Sequence, residues 1–416
     1  MKKLSHILVF AVATLLFVGS AHAQFLRDLQ NFRTPGQAGI NVFEPPMQAA
    51  QNIEGPYLRV GGDFAIQFQG LDHSNDLGNL VELAPNLTLP TANLNLDVQF
   101  TDGVRMHLRT YLSSRHHNEA WVKGGYFQID DLDFISEGFL AGLMEVTRFR
   151  VGMDEINYGD AHFRRSDNAA AIYNPFVGNF IMDSFTTEPF IEVTVMSDGF
   201  LGVAGITNGR LNQSPKPGDN GIALFGKLGY DSQINPDLRF RLTGSVYHST
   251  KEGTRDYLYG GDRAGARYYG ILEAVDDARV SDFLPRFNPG FPYLTSFQIN
   301  PFLRFQGLEF FGIIERTTSG ATDGNYTQLG GELLYRFGTR EQFYLGGRYN
   351  TVNGDAGDGL SQTINRVNVG GGWFLTENVL TKVEYVTSTY DGEGFDNTKF
   401  AGAQFDGVMF EAVISF

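Results

Sequence analysis

The clearest pattern in the chain is alternation. From Gln404 to Phe416, apolar Val408, Phe410, Ala412, Ile414 and Phe416 take every second position, with Gly407, Met409, Glu411, Val413 and Ser415 between them. A period of two predicts a β-strand. The same period begins at Tyr57, where Leu58, Val60, Phe64, Ile66 and Phe68 face one side and Arg59, Asp63, Gln67 and Gln69 the other. Leu94, Leu96, Val98 and Phe100 alternate with Asn93, Asn95, Asp97 and Gln99; Val104, Met106, Leu108 and Leu112 alternate with Arg105, His107, Arg109 and Tyr111. Further strands are predicted at about 120–132, 146–156, 187–198, 200–209, 221–231 and 237–250, then at 296–306, 308–318, 326–338, 343–353, 363–375, 379–390 and 404–416.

Connections alternate in length. Tight turns fall at Thr101–Gly103, Ser197–Gly199, Asn235–Asp237, Gln306–Gly307, Thr339–Gln342 and Thr376–Asn378, and long polar loops join the other pairs. If residues 251–295 form one loop, all of these turns fall on the same side as Phe416 and the total is sixteen. The predicted fold class is therefore all-β: a transmembrane, antiparallel, up-and-down barrel of sixteen strands. Closure removes the edge that a C-terminal strand would otherwise expose. Eighteen strands are the alternative, with Gly265–Glu273 as one extra, but its partner would have to lie in 276–293, where Pro285, Pro289 and Pro292 oppose a strand. Fourteen is less favoured. A soluble β-sandwich would explain one such hairpin, less readily the whole series.

The first 23 residues read differently. Lys2 and Lys3 precede an apolar run, Ile7–Val18, and Ala21-His22-Ala23 has the form of a cleavage site, so 1–23 is predicted to be a signal peptide for export. Residues 24–55 carry Pro35, Pro45 and Pro46 and no strand period. They read as a periplasmic leader or a small plug, with the barrel occupying 56–416. Without the signal, 30 basic residues face 47 acidic ones, a net charge of −17 that argues against a nucleic-acid partner. No cysteine is present, so no disulfide contributes. Fifty glycines and 56 aromatics suit short alternating strands, and Trp121 and Trp373 near strand ends suit interfacial girdles.

Taken together, the cleavable signal, alternating strands, short turns opposite long loops and terminal Phe416 resemble a Gram-negative outer-membrane porin. The resemblance covers the mature chain and specifies no narrower subfamily. It implies a water-filled channel for passive diffusion of small hydrophilic solutes in the bacterial outer membrane, without a cofactor. It also implies a C-terminal strand, with Phe410 and Phe416, that engages the barrel-assembly machinery, outer-membrane lipid around the wall, and a homotrimer. The third long loop, 157–186, is expected to fold inward as a constriction, with Asp160, His162, Arg164, Arg165, Asp167 and Asp183 at the aperture. Lumen-facing positions hold Arg105, Arg109, Arg148, Arg150, Arg239 and Arg241, of which the first four form the expected selective wall. Permanently charged guanidiniums in a narrow pore steer anions, unless wall acids such as Asp97, Asp154 and Glu192 pair with them.

Two other functions compete. A hatch-gated channel for hydrophobic compounds uses 24–55 as a plug but needs an apolar lumen. A barrel enzyme needs a nucleophile and base, and no H-E-x-x-H, G-x-S-x-G or phosphate loop is present. His116-His117 and the acidic glycine-rich stretches 354–359 and 391–396 read as hydrated loops rather than metal sites.

Overall fold

The computed structural model describes residues 29–48, 53, 55–88, 90–113, 120–167, 169–209, 221–249, 258–261, 265–277 and 283–416. The signal segment and His116-His117 lie outside them. Sixteen long strands run as a meander. The first eight are β1 (Tyr57–Ser74), β2 (Thr91–Thr101), β3 (Val104–Ser113), β4 (Ala120–Ile129), β5 (Thr147–Glu155), β6 (Thr187–Ser197), β7 (Phe200–Thr207) and β8 (Ala223–Asn235). The second eight are β9 (Leu238–Ser249), β10 (Leu294–Phe305), β11 (Leu308–Ser319), β12 (Asn325–Phe337), β13 (Phe343–Asp355), β14 (Gln362–Thr376), β15 (Val379–Asp391) and β16 (Gln404–Ser415).

Each strand pairs antiparallel with the next, and β16 returns to β1, with Gln67 opposite Glu411 and Phe68 opposite Phe410. The seam is tied off by the last residue: Phe416 N donates to Gly62 O and Gly62 N to Phe416 O, both at 3.0 Å. The sixteen-strand reading holds. In the competing stretch only Tyr268–Tyr269 is extended, and it pairs with Phe283–Leu284 inside the long loop rather than with the wall. Deleting Phe416 is expected to remove both seam bonds and lower the fraction of unboiled protein that migrates as the folded band; an unchanged fraction would show that closure does not depend on it.

Local chemistry explains the turns. Asp198 (φ +52°) and Gly199 (φ +85°) are both left-handed, as a two-residue type I′ hairpin requires. Gly103 (φ +61°) ends the β2–β3 turn beside a register shift between Gln99 and Thr101, the geometry of a glycine bulge. One connection on this side is not tight: Asp130–Val146 carries a short helix, Ala141–Met144.

The outer face is apolar and exposed. Phe127, Ile191, Leu228, Phe297, Leu333 and Phe410 all point away from the lumen. At the turn end of β12–β14, Tyr335, Phe337, Phe343 and Trp373 form a chain of ring contacts at 5.6–6.0 Å, an aromatic girdle in place. Among the described residues no helix is long and apolar enough to cross a membrane. The closed ladder satisfies the backbone while presenting this apolar face, which is what a strand-built membrane span requires.

The inner face differs from a simple wet lumen. Described residues of the 157–186 loop and of the long loop before β10 (258–261 and 265–272) pack against the inner wall of the barrel. Tyr158, Val177, Ile181, Met182, Tyr259, Tyr268 and Ile271 are buried against Tyr247, Tyr326 and Phe405 of the wall. A second cluster sets Ala169, Ala171 and Ile172 against Tyr344, Phe374 and Leu380. Among the described residues these two loop segments pack against the β9–β16 wall, and a chamber remains on the other side. Sequence alternation shows which wall residues face inward, not what fills the space they face.

Candidate functional site

That space is a chamber of about 210 Å³ against β1–β6. The wall is one side. Loop residues His162, Phe163, Arg165, Asp167 and Tyr173 form another, and Phe32, Arg33, Phe43 and Glu44 of the N-terminal segment form the floor at the turn end. Seven cations line it: Arg33, Arg59, Arg105, Arg109, Arg148, Arg150 and Arg165. Seven carboxylates face them: Glu44, Asp63, Asp97, Asp154, Glu155, Asp167 and Glu192.

All four arginines of the expected wall are here, and each has a carboxylate. Arg105 lies 3.7 Å from Asp97, Arg109 3.5 Å from Glu155, Arg148 2.6 Å from Asp130 and Arg150 3.4 Å from Glu192. The aromatics between them hold the guanidiniums flat. Arg105 lies over Phe32 and Tyr126, and Arg150 over Tyr126 at 4.1 Å and Phe190 at 5.0 Å.

Arg239 and Arg241 do not line the chamber. Arg239 pairs with Asp231 at 2.7 Å. Arg241 sits in a buried knot with Asp160 at 2.8 Å and Glu44 at 2.7 Å, and Lys227 joins it at 2.9 Å from Asp160. Asp160 also accepts a hydrogen bond from Thr243. Burial alone would raise the Asp160 carboxyl, but Arg241 and Lys227 hold it well below the usual range; burial and the same two cations act likewise on Glu44.

The loop residues divide in the same way. His162, Arg165 and Asp167 reach the chamber; Asp160, Arg164 and Asp183 anchor the loop. Arg164 bridges Glu309 at 2.8 Å and Glu332 at 3.0 Å, and Asp183 takes two hydrogen bonds from Arg165. Phe410 and Phe416 carry exposed rings on the outer face. Among the described residues no group of three or more His, Asp or Glu side chains is arranged to hold a metal.

Burial, then Lys227, keep His162 well below the ordinary imidazole value of 6.5, with Arg150 and Arg33 adding to the effect and Asp160 opposing it. Glu155 is 3.8 Å away, and Asn157 Oδ1 accepts from His162 Nε2 at 3.1 Å. The folded ring stays neutral where a free one is charged, so the unfolded chain binds the extra proton. Stability is therefore complete above about 6.5 and falls as pH drops below it. A urea midpoint that declines on acidification, and declines less in His162→Gln, is the expected result; identical pH profiles would contradict it.

The N-terminal segment was the least legible part. Glu44, Arg33 and Phe32 have no periodic context, and only their content, charges and aromatics in a proline-rich stretch, marks them as packing residues. The segment is held at points around the mouth: Gln30 Oε1 accepts from Gly103 N at 2.9 Å, Gln37 N donates to Glu377 O at 2.7 Å, and Pro45 O accepts from Arg148 at 2.8 Å.

No family model and no curated protein sequence matches the chain. Solved structures do. OmpF of Salmonella typhi, in complex with daunomycin, superposes with a TM-score of 0.54 at 12% identity, over 88% of this chain and 100% of that one. The fold is that of the outer-membrane β-barrels. OmpT, an outer membrane protein of Vibrio cholerae, matches with a TM-score of 0.51 at 10% identity, over 89% of this chain and 100% of that one. Pseudomonas putida OprB gives 0.51 at 10% identity, over 86% and 94%. At these identities the likeness is one of barrel architecture, and the chamber residues stand on their own geometry.

Proposed function

We propose that this barrel is an outer-membrane channel through which small hydrophilic solutes diffuse passively, selected at the chamber between β1–β6 and the infolded 157–186 loop. The observation that carries this reading is the chamber itself: seven arginine and seven carboxylic side chains line an open space inside a wall whose outer face is apolar. Such a lining favours hydrated solutes and disfavours apolar ones, which opposes the hydrophobic-compound alternative.

Charge preference is proposed to be weak. An arginine face alone favours anions, but here carboxylates lie within 3.7 Å of each of the four wall arginines. The fields largely cancel beyond the pair.

One observation supports a gated form of the same function. Residues 29–48 cross the mouth at the turn end and are tied to β3, β5, β9 and the β14–β15 turn. In this reading the segment is a plug that sets how much current passes.

Swelling of liposomes carrying the folded protein tests the channel. Small neutral sugars are expected to enter and larger ones progressively less; swelling no faster than in protein-free vesicles would overturn the proposal.

A further inference from the structure

Ion pairs in this barrel fall into two groups. Among the described residues, seven pairs are longer than 3.2 Å, at 3.4–3.9 Å, and all seven join two residues of the chamber. The charged groups that anchor the loop are tighter: Arg348–Glu332 and Lys382–Glu411 are each 2.5 Å, and Arg164–Glu309 is 2.8 Å. Arg148, Arg165 and Glu44 of the lining are held tightly by Asp130, Asp183 and Arg241, whereas Arg105, Arg109 and Arg150 stay within 3.8 Å of chamber carboxylates without a short contact to any of them.

Their hydrogen-bonding capacity is correspondingly open. Arg150 is shared between Glu192 at 3.4 Å and Asp154 at 3.8 Å. Arg150 Nε, Asp154 Oδ1 and Glu192 Oε2 are buried without a hydrogen-bond partner, as are Arg105 Nε and Asp97 Oδ2. Polar atoms of both signs, buried and unpartnered at the edge of one cavity, are satisfied by a ligand that supplies both a donor and an acceptor.

We infer that the chamber binds small zwitterions, solutes carrying an ammonium and a carboxylate on a short chain, as they pass. The inference rests on the channel reading and names its substrate class. A monovalent anion or cation entering a lining that carries both signs leaves one of them uncompensated. A zwitterion enters without net charge, sets its carboxylate on the Arg150 or Arg105 guanidinium and its ammonium on Asp154 or Glu192, and replaces one loose pair with two direct ones. Size agrees: about 210 Å³ lies below the range of roughly 300–1,000 Å³ typical of pockets for drug-sized ligands.

Single-channel potassium current at low ionic strength, where screening is weak, tests the inference. Alanine is compared with lactamide, a neutral molecule of similar size, and with lactate. Alanine is expected to reduce the current saturably, with half-effect at a concentration about tenfold lower than either control, equivalent to about 1.4 kcal/mol. Replacing one charge of each sign, Arg150→Gln with Asp154→Asn, is expected to erase that difference. Three solutes acting alike on the unaltered protein would overturn the zwitterion site and leave the channel standing. Absence of any current would overturn the channel reading and this inference with it.

Discussion

Deleting residues 29–48 is expected to raise the ionic current through a single barrel severalfold. The segment has no strand of its own and is fixed only by what it touches. Asn41 donates to Glu309 at 2.7 Å, Glu44 pairs with Arg241 at 2.7 Å and Lys227 at 3.2 Å, and Arg33 donates to Phe163 O at 3.0 Å and lies over the Tyr173 ring. These contacts draw it across the mouth from the β2–β3 turn to the β14–β15 turn. Removal leaves no stranded charge: Arg241 and Lys227 keep Asp160, and Glu309 keeps Arg164 and Arg336. The shortened protein should therefore still fold, which separates loss of a plug from loss of the barrel. Recordings from the two proteins in the same salt decide it; equal currents would mean that the segment does not limit passage.

Lys382→Met should cost about 3–5 kcal/mol of stability, the range for breaking a buried ion pair from one side. Lys382 is buried on β15, and its ammonium serves four acceptors. It pairs with Glu411 at 2.5 Å and donates to Ala171 O at 2.9 Å, Asn174 O at 3.2 Å and Phe176 O at 3.0 Å. One side chain thus ties the 157–186 loop to the wall. Methionine fills similar space but leaves Glu411 with only the hydrogen bond from Gln67. The measurement is a urea unfolding curve with a second variant, Lys382→Met with Glu411→Leu. Removing the stranded carboxylate as well should recover part of the loss, while the three loop carbonyls remain without their donor. A double variant no more stable than the single one would show that the ion pair is not what the single change broke.

The barrel was legible in the sequence because lipid outside and polar groups inside impose a period of two on every strand. Asp198-Gly199 and Gly103 marked turns through backbone needs that act locally. The orientation of Arg105, Arg109, Arg148 and Arg150 followed from the same period. Their partners did not. Asp130, which holds Arg148, lies in the one long connection on the turn side, and Asp167, near Arg109, lies on a loop 58 positions later in the chain. Pairing across such distances depends on where the 157–186 loop folds, and aromatic content shows that a loop can pack without showing against which strands. The packing of loop residues against the β9–β16 wall, with the chamber on the other side, was invisible for the same reason. So was the floor formed by Phe32, Arg33 and Glu44, whose stretch has no period to place it.

Solutes are proposed to cross on the β1–β6 side. The chain contains no cysteine, so single thiols can be introduced as reporters. Thr194→Cys places one on the chamber wall, and Ser296→Cys places one on the packed β10 side. A charged methanethiosulfonate reagent added during single-channel recording is predicted to reduce the current of the Thr194 variant and leave that of the Ser296 variant unchanged. The reverse pattern would contradict the chamber path, and a folded barrel that passes no current would contradict the channel itself.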